Sequence, residues 1–305
     1  MRVAVIINKG AGSVAVAGGV EALLREAELA FERHGIEAEI IAAQGDVIAE
    51  TALKARDRGE RGELDGVVVG GGDGTIRSVA NVLAGSTVPM GILPMGTLNH
   101  FARDLNLPFD LDLAVGIIAR KELRTVDVGS VNGAIFVNNS SVGVYPYMVA
   151  DRDRRRGASG LGKWPAMALA SLRALKKFPF RRLTMSAEGG ARPYRTPMLF
   201  VGNNEYDLTL LGLGRRHQLN LGRLHVYVAR SESRWAFIML ALRALLGFGN
   251  TAQELDQLEM LEFEVRCRTS RLPVALDGEV QMMQPPLRYR IIPGALKVFA
   301  PEPAI

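Results

Sequence analysis

The chain contains one cysteine, Cys267, among 305 residues. A lone cysteine excludes an internal disulfide framework and any multi-cysteine metal site, and a reducing compartment is the default for such a chain. It has no apolar run of the ~20 residues that a bilayer requires. The two most apolar helical stretches, residues 164–178 and 235–248, are interrupted by Arg173 and Arg243. The first apolar run, residues 3–7, is too short for a signal-peptide core and turns at Asn8-Lys9-Gly10, so the expected location is cytoplasmic. Internal repeats and low-complexity tracts are absent, and no segment has the low hydrophobicity of a disordered tail. The imbalance of charge is small: 37 basic against 32 acidic residues leave +5, which favours anionic partners without choosing among them.

What is present is an alternation. Short β-branched or apolar runs at residues 2–8, 38–42, 66–69 and 89–93 are separated by helical periodicity over 19–34 and 48–58. Such alternation predicts a parallel sheet covered by helices, with ligand loops at the C-terminal ends of its strands. After about Thr125 the pattern changes to strand-like runs at 126–131, 134–139, 197–201, 223–229, 261–266 and 287–292, with the two helical stretches inserted between them. A chain of this length is expected to form two domains sharing a cleft.

The densest motif follows the apolar run Val67-Val68-Val69 and reads Gly70-Gly71-Gly72-Asp73-Gly74-Thr75, ahead of a helical pattern over 76–84. Glycines let phosphate oxygens approach the main chain, the helix start offers free N–H groups, and Thr75 adds a hydroxyl. Asp73 would repel phosphates unless a divalent cation or a proton transfer makes it useful, which implies Mg²⁺. The plain alternative is a structural turn with an Asp cap. Against it, Pro94-Met95-Gly96-Thr97-Leu98-Asn99 repeats the order of strand, Gly, Thr and helix, so two loops present matching donors. The motif is not a Walker A loop, because no Gly-Lys-Ser/Thr follows, and it lacks the Gly-x-Gly-x-x-Gly dinucleotide spacing.

These motifs, with Asn8-Lys9-Gly10-Ala11-Gly12 before them, Pro94 to Arg103, Val126 to Gly129 with Phe136 to Asn139, and Leu276-Asp277-Gly278-Glu279, resemble in order the catalytic domain shared by diacylglycerol kinases, sphingosine kinases and related bacterial lipid kinases. The resemblance implies an α/β nucleotide domain over residues 1–125, rejoined by 294–305. It also implies a β-sandwich-like lipid-substrate domain with helical insertions over 126–293. ATP would contact Asn8, Gly72, Asp73, Gly74, Thr75 and Thr97, with Gly71, Gly96 and Asn99 in the same loops. Asp73 would serve Mg²⁺ and the chemistry, and Glu279 would take the proton of a lipid hydroxyl. From its residues alone, Asp277-Gly278-Glu279 reads more simply as a hairpin turn with solvated acids.

The chain departs from the family pattern at His100, where Asp is common, at Lys9 and Ala11 in the first loop, and at Ala43. Asn220-Leu221-Gly222-Arg223 stands where the family has an Asp-Asp-Gly metal segment, so that accessory metal site is not expected. A lipid alcohol substrate calls for peripheral contact with the anionic inner face of the membrane, and two segments offer it: the 164–178 helix, preceded by Arg152, Arg154, Arg155 and Arg156 and carrying Arg173, Lys176, Lys177, Arg181 and Arg182 at its far end, and the largely apolar run 235–248. These helices would otherwise simply cover the β domain. Nucleic acid is not an expected partner, and a homodimer is compatible with the reading. Two rivals remain: an NAD kinase-like enzyme, suggested by Asn203-Asn204-Glu205, and a catalytically silent nucleotide- or membrane-binding protein, suggested by His100 and the altered first loop.

Overall fold

The computed structural model describes residues 1–144, 146, 181–187, 190–207, 215–230, 239 and 255–302. They belong to two compact units, one made of Met1–Val128, Leu219–Leu221 and Ile292–Ile305, the other of Gly129–Gln218 and Gly222–Ile291.

The first unit alternates as its sequence requires: β1 (Arg2–Asn8), α1 (Gly12–Val16), α2 (Val20–Arg33), β2 (Glu37–Ala43), α3 (Val47–Glu60), β3 (Gly66–Gly71), α4 (Asp73–Leu83), β4 (Met90–Pro94), α5 (His100–Asp104), α6 (Leu111–Ala119) and the start of β5 (Leu123–Val131). The strands β2-β1-β3-β4 are parallel neighbours. Val3 to Ile7 and Val67 to Val69 are fully buried, as befits strands covered on both faces. Helix α2 turns Leu23, Ala27, Ala30 and Phe31 into that core, a spacing that keeps them on one stripe. Burying Phe31 contributes about 2 to 3 kcal/mol. Asp110 caps α6 by accepting from the Leu113 N–H at 2.9 Å.

The second unit begins with the last residues of β5 and continues through β6 (Ala134–Phe136), β7 (Asn139–Gly143), β8 (Arg181–Ala187), β9 (Gly190–Thr196), β10 (Met198–Asn203), β11 (Leu224–Ala229), β12 (Leu255–Met260), β13 (Glu262–Arg266), β14 (Leu272–Leu276) and β15 (Glu279–Met283) to β16 (Leu287–Phe299). One sheet runs β12-β11-β10-β7-β14-β15 and the other pairs β16, β13, β8 and β9, all antiparallel. A single core draws Leu183, Phe263 and Tyr289 from the latter, Phe136 from β6, which joins that sheet through β5, and Val142, Val201, Val226 and Val274 from the former. Within it, Phe263 and Tyr289 stack at 4.8 Å. The Tyr289 hydroxyl meets the Ser140 hydroxyl at 3.1 Å, and burial pushes the Tyr289 pKa well up.

Strand β16 belongs to both units. Its first half pairs β13, and its second half lies parallel to β4 through Val298 and Met90. Between the halves Gly294 takes a left-handed φ of 60° and gives its N–H to the buried Asp127 carboxylate at 2.8 Å.

Several local expectations need correction. The helix expected over 76–84 starts at Asp73, so Asp73, Gly74 and Thr75 form its first turn. The run 134–139 is two strands in different sheets, because Val137 and Asn138 leave one sheet for the other. Arg181 and Arg182 open β8 rather than end a helix: Leu183 and Met185 alternate inward there with period two. Strand β16 extends seven residues beyond 292, since the left-handed Gly294 lets the chain bend and resume pairing. The helical stretches 164–178 and 235–248 lie outside the described residues apart from Met239, as do Arg152, Arg154, Arg155, Arg156, Arg173, Lys176 and Lys177. Among the described residues, no helix is long and apolar enough to cross a membrane.

Candidate functional site

Three strands of the first unit end in loops that touch one another. At the end of β1, Asn8 accepts from the Gly10 N–H at 2.9 Å, closing a tight turn, and donates to the Thr75 hydroxyl at 2.8 Å. The loop after β4 is tied to this first loop as well, because the Ser13 N–H reaches the Met95 carbonyl at 3.3 Å. After β3, Gly71 packs against Thr75 so closely that a Cβ would fall 2.6 Å from the threonine Cβ. A Cβ on Gly96 would fall 2.5 Å from the Gly72 Cα, so the β4 loop needs a bare main chain where it crosses Gly72, whereas a Cβ on Gly72 would lie 3.4 Å from the Gly96 Cα. Asn99 closes the β4 loop on itself: its amide accepts from the Gly96 N–H and donates to the Gly96 carbonyl, both at 2.9 Å, while its own φ is 49°. Asparagine tolerates this left-handed conformation better than most residues.

Asp73 links the second loop to the third. Its two carboxylate oxygens accept from the main-chain N–H groups of His100 and Phe101, each at 3.2 Å, and so cap α5. It also lies in the first turn of α4, where the helix dipole favours a negative charge. These contacts give the aspartate a reason to be here besides a cation. They also explain why His100 is tolerated where Asp is common: the main-chain N–H meets Asp73, and the imidazole is exposed. No group of three His, Cys, Asp or Glu side chains poised for a metal occurs among the described residues. Asp73 alone nevertheless fits Mg²⁺, which commonly takes one or two carboxylates and completes its shell with phosphates and water.

The cluster is suited to a polyphosphate. The unpaired first-turn amides of α4, the glycine-lined crossing at Gly72 and Gly96, and the exposed Thr97 supply donors and close approach. Asn8, Gly71, Gly72, Asp73, Gly74, Thr75, Gly96, Thr97 and Asn99 thus all belong to one set of loops. Lys9 is exposed and enters through its main chain, donating to the Ala43 carbonyl at 3.0 Å.

Glu279 belongs to the second unit, exposed at the first position of β15. Asp277 and Gly278 form the two-residue turn before it, with φ values of 47° and 86°. A turn with two positive φ angles selects Asp-Gly. The Asp277 carboxylate is not solvated as a hairpin acid would be: it accepts from the N–H groups of Val137, Asn138 and Asn139 at 2.9, 2.7 and 3.0 Å. Behind them lies Arg216, only 2% exposed. Its guanidinium donates to the carbonyls of Val137 and Asn203 at 2.7 and 2.9 Å and to the Asn138 side chain at 2.7 Å. It also packs over the Tyr206 ring. Asn138 and Asn203 stand out in the sequence only as members of motifs, with no contact assigned to them, and Tyr206 and Arg216 do not stand out at all. The available signal was the pair of Asn-Asn steps, 138–139 at the end of one strand-like run and 203–204 just beyond another.

The family described as diacylglycerol kinase catalytic domain matches residues 2–131. A probable lipid kinase YegS-like of Pseudomonas aeruginosa is 30% identical over 77% of this chain and 76% of its own length. A diacylglycerol kinase of Mycobacterium tuberculosis is 28% identical over 78% and 77%. Among solved structures, a putative diacylglycerol kinase from Bacillus anthracis superposes with a TM-score of 0.76 at 21% identity, covering 99% of this chain and 98% of that one, which speaks to the fold. At 30% identity over more than two thirds of both chains, with the family match over residues 2–131, the chain belongs to the diacylglycerol kinase family of lipid kinases, enzymes that phosphorylate an alcohol group.

Proposed function

We propose that the protein transfers the γ-phosphoryl group of ATP, with Mg²⁺, to the hydroxyl of a diacylglycerol-like lipid alcohol. The observation that carries this reading is the joining of three strand-end loops through Asn8, Thr75, Gly72, Gly96 and Asp73, a donor-rich surface with one carboxylate and no room for a side chain at Gly71 or Gly96. Asp73 would hold Mg²⁺, whose charge offsets the negative charge of the transferring phosphoryl group. Glu279 would accept the proton of the lipid hydroxyl, a poor nucleophile at neutral pH. Its exposed position at the head of β15 is compatible with reaching a substrate.

Peripheral contact with an anionic membrane face belongs to the same reading. The net charge of +5 supports it, as does an open cavity of about 570 Å³ on the β8-β9-β13 surface lined by Arg182, Arg195, Arg266 and Arg268. Against the NAD kinase-like alternative, Asn203 and Asn204 are buried beside Arg216, which leaves Glu205 as the one exposed residue of the motif that suggested it.

Purified protein incubated with labelled ATP and Mg²⁺ against diacylglycerol, phosphatidylglycerol and a sphingoid base tests the assignment. Label is expected in a lipid phosphate from the diacylglycerol-like acceptor, and Asp73→Asn is expected to abolish it. Turnover of Asp73→Asn within a few fold of the parent would remove Asp73 from the chemistry.

A further inference from the structure

The Asp277 cluster solves a backbone problem. Between β6 and β7 the chain passes from one sheet to the other, so Val137 and Asn138 lie outside either ladder and Asn139 only opens the second. Buried main-chain polar groups without partners cost about 1 to 3 kcal/mol each. Here each is met from far along the chain. The three N–H groups donate to Asp277. The Val137 carbonyl accepts from Asn203 Nδ2 and Arg216, the Asn138 carbonyl from the Asn203 N–H, and the Asn139 carbonyl from the Asp277 N–H. The crossing is therefore gripped on one side by a carboxylate and on the other by a guanidinium.

The same grip fixes the turn that presents Glu279. Asp277 contributes one donor and both carboxylate oxygens to the crossing, and its φ of 47° is held there two residues before Glu279. Asp277 is poorly arranged to act as a proton acceptor, since taking a proton would disrupt hydrogen bonds to three main-chain N–H groups. We infer that Asp277 is a positioning residue for Glu279 and that Arg216 acts with it, bracing the 137–139 crossing so that the Asp277-Gly278 turn holds the glutamate in one place. The inference rests on the reading of Glu279 as the base, and its test separates the two.

Asp277→Asn keeps the size of the side chain but sets an amide donor against N–H groups that need acceptors. The full chain is assayed with ATP, Mg²⁺ and dioleoylglycerol in detergent micelles, and amide hydrogen exchange is read over residues 137–139. In Asp277→Asn, kcat is expected to fall by about 10- to 100-fold, as expected for a misplaced group, with the KM for ATP unchanged and the acid limb of the pH profile retained. Exchange at residues 137–139 is expected to rise while the remaining amides stay protected. In Glu279→Gln the acid limb is expected to disappear with exchange at 137–139 unaltered. If the limb disappears in Asp277→Asn and persists in Glu279→Gln, Asp277 is the base and both readings fall. If Asp277→Asn retains full kcat while Glu279→Gln loses the limb, only the positioning role falls. Faster exchange with unchanged kcat would reduce Asp277 to a structural brace and overturn the inference. Should Asp277→Asn fail to fold, Arg216→Lys carries the test: a several-fold lower kcat with the limb and the KM for ATP retained supports the inference, and full kcat overturns it.

Discussion

In the first unit the polar cluster is assembled from loops whose signatures announce their contacts, whereas in the second it joins positions up to 140 residues apart whose motifs say nothing of the contact between them. The two also spend their hydrogen bonds differently. The loops of the first unit tie to one another at a few points and leave helix-terminal amides and the Thr97 hydroxyl for a ligand. Around Asp277 the hydrogen bonds turn inward, meeting the main chain at the 137–139 crossing. On the proposed reading, a site that receives phosphate keeps donors in reserve, and a site that presents one side chain uses its polar groups to hold still.

The largest way to break this contrast is at Gly96. Gly96→Ala places a Cβ 2.5 Å from the Gly72 Cα, a backbone collision that no rotamer relieves. Nucleotide binding and kinase activity are expected to fall by about 100-fold or more, with the second unit's amide exchange unchanged. Retained activity in that variant would show that the crossing of the two loops is dispensable.

A smaller effect is expected at Asn8. Asn8→Ala removes the 2.8 Å bond to Thr75 and the 2.9 Å bond from Gly10, about 1 to 3 kcal/mol together. ATP affinity measured by calorimetry should drop roughly 10-fold, while the fold persists. An unaltered affinity would mean that the first loop does not set the geometry of the second.

The smallest effect is expected in the core of the second unit. Tyr289→Phe removes a buried hydroxyl that pairs with Ser140 and should lower stability by about 1 kcal/mol without changing turnover. It should also flatten the alkaline limb of stability. Burial holds the Tyr289 pKa above its ordinary value. Its contribution is therefore fully present below about pH 10 and lost as the pH rises from there, because the unfolded chain releases the proton first. Parallel alkaline melting curves for the parent and Tyr289→Phe would contradict that assignment.

The same contrast explains what was legible in the sequence. Parallel strands buried on both faces are continuous apolar runs, and phosphate loops need glycine at fixed offsets, so the first unit and nearly all of its loop residues could be read directly. The short, half-exposed strands were harder. In β12 the run Leu255-Asp256-Gln257-Leu258-Glu259-Met260 has no strong period, and β9 carries a proline and two arginines. The break at Val137-Asn138 was hidden because both sides of it read as strand. Asp277 was read as a solvated turn acid, since nothing nearby reveals three N–H groups about 140 residues upstream. What Asp73 does for α5 was equally hidden: its partners are main-chain groups, which any residue at 100 and 101 except proline would provide.

Strand β16 has a bearing on how the protein is made. The parallel sheet of the first unit acquires the neighbour of β4 only when Val298 arrives, although β1 to β4 are complete about 200 residues sooner. At ribosomal rates of about 5 to 20 residues per second, β4 waits roughly ten to forty seconds with its outer edge unpaired. An open, wholly apolar edge of this kind is a template for pairing with another chain. Nascent chains stalled before β16 should therefore engage chaperones and aggregate more readily than finished ones, and the first unit should become resistant to protease only after its last strand is released.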